Sequence, residues 1–109
     1  MTVSTHVLDA SSGVPAAGVT IALTGPSGSA DEPVTVSSGS TDADGRLRFT
    51  ADTPPGVYRL TFGTGAYFAN RGIPAFYPEV VVTFTVPAGE HCHVPLLLSP
   101  FSYSTYRGN

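Results

Sequence analysis

The sequence has 109 residues, a formal net charge of −3 at pH 7 and five basic residues, all of which are arginine. With so few basic residues, the chain has no patch that could hold a phosphate backbone, so we expect no nucleic-acid partner. The absence of lysine also excludes Schiff-base chemistry. A content of 41% hydrophobic residues, with 12 Gly and 10 Pro, favours an all-β globular protein of one domain spanning residues 1–109.

The cellular compartment is indicated by cysteine usage and by the N-terminal sequence. Cys92 is the single cysteine, so it cannot form an internal disulfide, and residues 1–11 lack the basic start and apolar run of a signal peptide. No segment reaches the roughly 18 apolar residues that a membrane-spanning helix requires. We therefore expect a cytoplasmic protein with no membrane contact.

Turn signals recur at short, regular intervals along the chain and separate segments of strand length, which is typical of a β-sandwich. The predicted strands cover residues 2–9, 18–24, 34–40, 46–50, 56–62, 79–86, 91–98 and 102–107. One short helix is predicted at residues 64–70, where aromatic residues and alanines lie between glycines. Residues 25–33 are small and polar, and we expect a mobile loop there.

Alternation of large apolar and small or polar residues predicts that three of these strands are buried on one side. Their predicted core residues are Val19, Ile21, Leu23, Tyr58, Leu60, Phe62, Val80, Val82, Phe84 and Val86.

Two strands are apolar on both sides. In residues 91–98, Cys92, Val94, Leu96 and Leu98 form one apolar face, and the opposite face carries His91, His93, Pro95 and Leu97. In the first strand, Val3 and Val7 oppose Ser4, His6 and Leu8. Because a two-layer sandwich covers only one face of each sheet, the second face needs a cover from outside the monomer. The pattern predicts an oligomer, with His6 and His93 on its partner-facing side.

The two histidines at 91 and 93 are the first candidate site. A spacing of two residues on a strand directs both imidazoles the same way, about 7 Å apart. Such a pair could bind zinc, but catalytic zinc normally has three protein ligands, and Cys92 faces the opposite side of the strand. The pair is equally compatible with hydrogen-bonded strand histidines that have no catalytic role, and we predict no metal site.

Arg46 follows a turn in which Gly45 can adopt a positive φ and the aspartates can bond to their own backbone. An ordinary hairpin that happens to be followed by arginine explains this turn equally well. Ser99, Ser102 and Ser104 lie outside any Gly-x-Ser-x-Gly motif, so serine nucleophile chemistry is disfavoured. The aromatic and cationic tail at residues 102–109 differs from the polar ends of most domains, which indicates either a site or an edge strand held by tyrosines.

Five segments fall in order along the chain: HVLD at 6–9, TDADGR at 41–46, FYPEV at 76–80, HCHVPLLLSP at 91–100 and SYSTYRGN at 102–109. In this combination the chain resembles the transthyretin-like 5-hydroxyisourate hydrolases. Two residues depart from the pattern of that family. Cys92 replaces a tyrosine on the core-facing side, where it should alter packing more than chemistry. Asn109 replaces the usual terminal serine and removes its hydroxyl.

The resemblance implies a transthyretin-like β-sandwich of two four-stranded sheets with one short helix, assembled as a homotetramer, a dimer of dimers around a central channel. It implies hydrolysis of a ring amide of 5-hydroxyisourate, a small molecule of urate catabolism, without a cofactor. The implied catalytic residues are His6, Arg46 and His93, and the implied substrate-binding residues are Tyr106, Arg107, Gly108 and Asn109. The two histidines would move protons, and Arg46 would bind the oxyanion. His91, which faces the same way as His93, could either support the catalytic residues or lie merely at the interface, and we prefer the interfacial role.

Two other functions remain open at this point. A transthyretin-like carrier would use the same channel for a small hydrophobic ligand, although it would gain little from clustered histidines and arginines, and vertebrate transthyretin lacks this set. A sandwich module for adhesion or protein binding would use the outer face of residues 91–98 as a docking surface. Neither would turn over a substrate.

Overall fold

Nine strands and one helix follow one another along residues 2–27 and 35–108, the parts of the chain that the computed structural model describes. They are β1 (Val3–Asp9), β2 (Val14–Pro15), β3 (Thr20–Ser27), β4 (Thr35–Ser40), β5 (Arg46–Phe49), β6 (Gly56–Phe62), α1 (Thr64–Ala69), β7 (Val80–Val86), β8 (Cys92–Ser99) and β9 (Ser102–Thr105). This confirms the predicted all-β class with one short helix. Within the predicted loop at residues 25–33, positions 25–27 instead continue β3, and the remainder lies outside the described residues. Among the described residues, no helix has the length and hydropathy that a membrane crossing requires.

The strands form two sheets. One has the order β4-β3-β6-β7, and the other has the order β2-β1-β8-β9, with β5 also paired to β1. β8 runs parallel to β1 along the whole of β1, so β5 and β2 share the opposite edge of β1. β5 pairs with residues 3–6 and β2 with residues 8 and 9. This sheet therefore has five strands, not the four that the resemblance implies, because β2 adds a short fifth strand beside β5. β2 has two residues and is too short to show the alternation that would have predicted it.

The core lies between the two sheets, where the predicted inward faces meet. The predicted core residues of β8 are at most 5% exposed, namely Cys92, Val94, Leu96 and Leu98. The same limit holds for the predicted core residues of β6 and of β3, and for Val19, which directly precedes β3. On β7, Val80 and Val86 are buried and Val82 and Phe84 are half-buried, because β7 is an edge strand. Burial of these side chains is the main source of stability, at roughly 25 cal/mol per Å² of apolar surface.

A buried carboxylate joins the end of β1 to the helix. One oxygen of Asp9 accepts hydrogen bonds from the backbone N–H and hydroxyl of Ser11 and from the N–H of Ser12. The other oxygen accepts a 2.9 Å hydrogen bond from the Tyr67 hydroxyl. Burial alone would raise the pKa of Asp9, but the hydrogen bonds from Ser11, Tyr67 and Ser12 outweigh it and lower the pKa below its ordinary value.

We expect Tyr67→Phe to lower the free energy of unfolding by about 1.5–3 kcal/mol, because it removes a hydrogen bond to a buried charge. The pKa of Asp9 is lowered on folding, so its ionised form stabilises the protein fully above the unfolded pKa of about 3.9. That contribution is lost as the pH falls through the folded pKa, and the deficit of the variant should shrink there. Urea unfolding at pH 7 and near pH 3 measures both effects. Tyr103→Phe, at an exposed ring, is the control, and equal losses in the two variants would contradict the prediction.

Candidate active site

The turn before β5 is built by one aspartate and one glycine. A carboxylate oxygen of Asp42 accepts the backbone N–H groups of Asp44 and Arg46, both at 2.9 Å. Gly45 has φ +76°, and a Cβ there would collide with the carbonyl oxygen of Val7. Its own carbonyl accepts the Val7 N–H at 2.7 Å. The predicted positive φ and the predicted aspartate bonding are both confirmed, and the turn is fastened directly to β1.

This attachment sets His6 opposite Arg46 in the register of β1 and β5. Nε2 of His6 donates a 2.9 Å hydrogen bond to the carbonyl oxygen of Asp44. Because a carbonyl only accepts, Nε2 carries the hydrogen, and in the neutral ring Nδ1 keeps the lone pair. The turn therefore fixes the tautomer of His6 as well as the position of Arg46.

His93 lies on β8 beside Ser4 of β1 and is half-buried. Its Nδ1 is 2.8 Å from the Ser4 hydroxyl oxygen. Burial lowers the pKa of His93 below its ordinary value, and positive charge on His6, His91 and Arg46 lowers it further. An interaction with the backbone of Ser4 acts in the opposite direction. His93 is therefore neutral at neutral pH and able to accept a proton.

Two clefts meet at His93. The first, of about 240 Å³, opens on the outer face of the sheet, and its lining comprises Ser4, Thr5, Asp42, Arg46, Leu47, Arg48 and His93. The second, of about 310 Å³, lies between β7 and the chain after β9, and its lining includes His93, Tyr106 and Arg107. Arg46 and His93 thus line one cleft, and Tyr106 and Arg107 approach His93 through the other. His6 lines neither cleft but stands opposite Arg46 on the neighbouring strand and is close enough to act electrostatically on His93.

The C-terminal tail touches His93 through Gly108. The Gly108 N–H donates a 2.9 Å hydrogen bond to the His93 carbonyl, and a Cβ at this glycine would overlap the imidazole ring. Arg107 forms a 2.8 Å ion pair with Glu90, in which both side chains are more than half exposed. Tyr106 is 58% exposed. Asn109, the remaining predicted residue, lies outside the described residues.

We expect Gly108→Ala to lower kcat by about 10- to 100-fold, because the new methyl group displaces the His93 ring and small misplacements of a reacting group are costly. Steady-state kinetics and a thermal melt measure activity and folding separately. Gly89→Ala is the control, since Gly89 has no atom near its Cβ position. Gly89 has φ +81°, which strains an alanine there and which Gly108 does not share, so the thermal melt measures that strain in the control. Unchanged kcat in Gly108→Ala would show that the ring tolerates the contact.

Four residues of this neighbourhood were not predicted as site residues: Ser4, Asp42 and Arg48, which line the outer-face cleft, and Thr2, which contacts His91. Arg48 lies two residues beyond Arg46 and Ser4 two residues before His6, so strand alternation alone places them on the outer face. His91 does face the same way as His93, since both imidazoles bond to the Ser4 hydroxyl. Within residues 2–27 and 35–108, no three acidic, histidine or cysteine side chains converge on a point that could hold a metal ion.

The fold and this cluster together define a small β-sandwich protein with histidines and arginines gathered on the outer face of one sheet. A model described as the HIUase/Transthyretin family matches residues 3–108, and the chain belongs to that family. It is 42% identical to a mouse 5-hydroxyisourate hydrolase over 110 residues, which cover 97% of this chain and 93% of the relative.

Solved structures agree with this assignment. The 5-hydroxyisourate hydrolase of Klebsiella pneumoniae superposes with a TM-score of 0.86 at 40% identity and full coverage of both chains. Transthyretin from Sparus aurata superposes with a TM-score of 0.87 at 36% identity, covering 97% of this chain and 95% of the other. The backbone alone therefore does not separate enzyme from transthyretin, and the side chains of the outer face must do so.

Proposed function

We propose that this chain hydrolyses 5-hydroxyisourate by attack of water on a ring carbonyl carbon. The observation that carries the proposal is the outer-face cluster of His6, Arg46 and His93, in a chain similar over nearly its whole length to enzymes of that name. The proposed chemistry draws only on these side chains and needs no cofactor.

His93 acts as the general base. Its lowered pKa keeps the ring neutral at neutral pH, and Nε2 has no hydrogen bond to any residue that the structure describes. Nε2 can therefore accept a proton from water and later return it to the leaving ring nitrogen. His6, whose Nε2 is engaged by Asp44, offers Nδ1 to orient the same water.

Arg46 stabilises the oxyanion that forms on the attacked carbonyl. Its guanidinium remains charged throughout and presents planar donors that suit a carbonyl oxygen. Arg48 lines the same cleft and adds positive charge. Tyr106, Arg107 and Gly108, which approach His93 from its other side, bind the remainder of the substrate. Asn109, which the structure does not describe, is the fourth residue proposed to bind it. Substrate binding would then exchange the Glu90 partner of Arg107 for substrate oxygens, which is inexpensive because that ion pair is exposed.

The active assembly is a homotetramer, a dimer of dimers, in the cytoplasm. Two features support the assembly. The edge strand β9 is exposed along its length, which leaves unpaired backbone groups for another chain. The outer face that carries His6 also carries Leu8 and Leu97, which are only half-buried in the monomer.

The test is to generate 5-hydroxyisourate in situ from urate and to follow its loss by ultraviolet absorbance with and without the protein. Acceleration over spontaneous decay, with linear dependence on protein concentration, is the expected result. A wild-type protein that is folded but does not accelerate the decay would exclude the hydrolase and would leave a non-enzymatic carrier.

A further inference from the structure

A chain of hydrogen bonds runs from Thr2 through His91 and Ser4 to His93. The Thr2 hydroxyl oxygen lies 2.6 Å from Nδ1 of His91, and Nε2 of His91 lies 2.7 Å from the Ser4 hydroxyl oxygen. The same Ser4 oxygen lies 2.8 Å from Nδ1 of His93. Ser4 thus links the imidazole of His93 on β8 to that of His91, which directly precedes β8. The steps proposed at His93, His6 and Arg46 involve neither Ser4 nor His91.

The single hydroxyl hydrogen of Ser4 makes the two rings depend on each other. If Ser4 donates to His91, it must accept from His93, so Nδ1 of His93 carries a hydrogen and Nε2 keeps the lone pair of a base. If Ser4 donates to His93, the opposite tautomer results, and Nε2 carries the hydrogen of an acid. The direction of this hydrogen bond therefore sets which form of His93 faces the cleft.

We propose that His91 and Ser4 are positioning residues that relay the proton of His93, so that the positive charge formed during water attack rests on His91. This proposal rests on the proposed hydrolase function. In the step, a water proton moves to Nε2 of His93, the Nδ1 proton of His93 moves to Ser4, and the Ser4 proton moves to Nε2 of His91. The water oxygen forms its bond to the ring carbonyl carbon as these protons move. The reverse transfers then deliver the Nε2 proton of His93 to the leaving ring nitrogen.

The relay is favourable because the two rings differ in their surroundings. His93 is half-buried, while His91 is exposed to solvent and has Thr2 as the partner of its second nitrogen. A charge is less costly where water can solvate it. The charged and titratable groups around His93 are His6 on β1, Asp42 before β5, Arg46 and Arg48 on β5, His91 before β8, and Tyr106 and Arg107 after β9. Asp42 is the one anion among them, and one of its carboxylate oxygens is engaged by the backbone N–H groups of Asp44 and Arg46. Arg46 and His6 in particular oppose a second positive charge on His93.

The decisive variants are His91→Gln, which keeps a hydrogen-bonding side chain but cannot carry a proton, and Ser4→Ala, which breaks the chain. We expect kcat to fall roughly tenfold in both with little change in KM, a smaller effect than loss of a direct acid–base group. Ser4→Thr retains the hydroxyl and should retain kcat. Ser38→Ala, at an exposed strand serine of the other sheet, is the matched control.

Two further readouts separate a relay from a packing role. Added imidazole should restore turnover to His91→Gln, because a mobile buffer replaces the missing proton carrier. In the same variant the acid limb of the pH profile should move to higher pH, because removing the His91 charge removes one of the causes that lower the pKa of His93. Folded variants with wild-type kcat and an unmoved profile would overturn the relay, as would a loss confined to KM.

Failure of the hydrolase proposal and failure of the relay can be distinguished. A wild-type protein without activity would overturn the hydrolase proposal. Nitrogen-15 NMR of the imidazoles tests the relay without any measurement of turnover. The resting base form requires a hydrogen on Nδ1 of His93, and Ser4→Ala should shift that ring toward the tautomer with the hydrogen on Nε2. A wild-type His93 that already carries its hydrogen on Nε2 would overturn the relay even in an active enzyme.

Discussion

His93→Gln is expected to lower kcat by about two to four orders of magnitude, the usual contribution of a positioned general base. Glutamine preserves a polar side chain at the junction of the two clefts but cannot accept a proton from water. The effect should fall on kcat more than on KM, because proton transfer occurs only as the transition state forms. Stopped-flow measurements with 5-hydroxyisourate generated in situ give both constants.

The pH profile supplies the internal control for this variant. The pKa of His93 is lowered by burial and by neighbouring positive charge, so the acid limb of the wild-type profile should lie below the ordinary histidine pKa of about 6.5. Activity is lost as the pH falls through that lowered pKa, because the base becomes protonated. The residual activity of His93→Gln should lack this limb. A correctly folded variant with the wild-type limb intact would assign the limb to another residue.

Arg46→Ala should reduce kcat by about 10²- to 10³-fold, the range found when one donor to an oxyanion is removed. Arg46 lines the outer-face cleft and stands opposite His6 in the register of β1 and β5. Arg48, the other arginine of this cleft, stands opposite Ser4 and so does not occupy the same position. Arg46→Lys keeps the charge but loses the planar pair of donors, so it should recover only part of the activity.

Arg59→Ala is the matched control for Arg46→Ala. Arg59 is an exposed arginine on β6 of the other sheet, where it contacts Thr83, so its loss removes an equal charge without touching the cleft. Net charge changes identically in the two variants. Equal kcat values in Arg46→Ala and Arg59→Ala would remove Arg46 from the catalytic group.

Features that depend on local pattern were predictable from the sequence. Alternation alone assigned Cys92 and Val94 to the core and His93 to the outer face, because a strand turns successive side chains to opposite sides. The turn at Gly45 was predictable because it is also local. The positive φ belongs to one glycine, and the Asp42 carboxylate bonds to residues at most four positions away.

Features that depend on the pairing of distant strands were not predictable in this way. The bond between Ser4 and His91 joins residues 87 positions apart, and it exists because β1 and β8 run parallel in one particular register. A pattern within either strand contains no information on that register. The interfacial role preferred for His91 was therefore reached without knowledge of its partner. The contact of Gly108 with His93 escaped prediction for a related reason, because it depends on where the tail lies against β8.

The placement of the two histidines within the five-stranded sheet has different consequences for their durability. β1 is hydrogen-bonded to β8 on one edge and to β5 and β2 on the other. β8 pairs with β9 only from Leu96 to Ser99, and the outer edge of His93 is held by a single bridge to Gly108. Thermal fraying begins at margins and termini, and doubly paired strands open last. His6 therefore stays in register through fluctuations that loosen the rim, whereas opening of the C-terminal tail frees one edge of the backbone at His93.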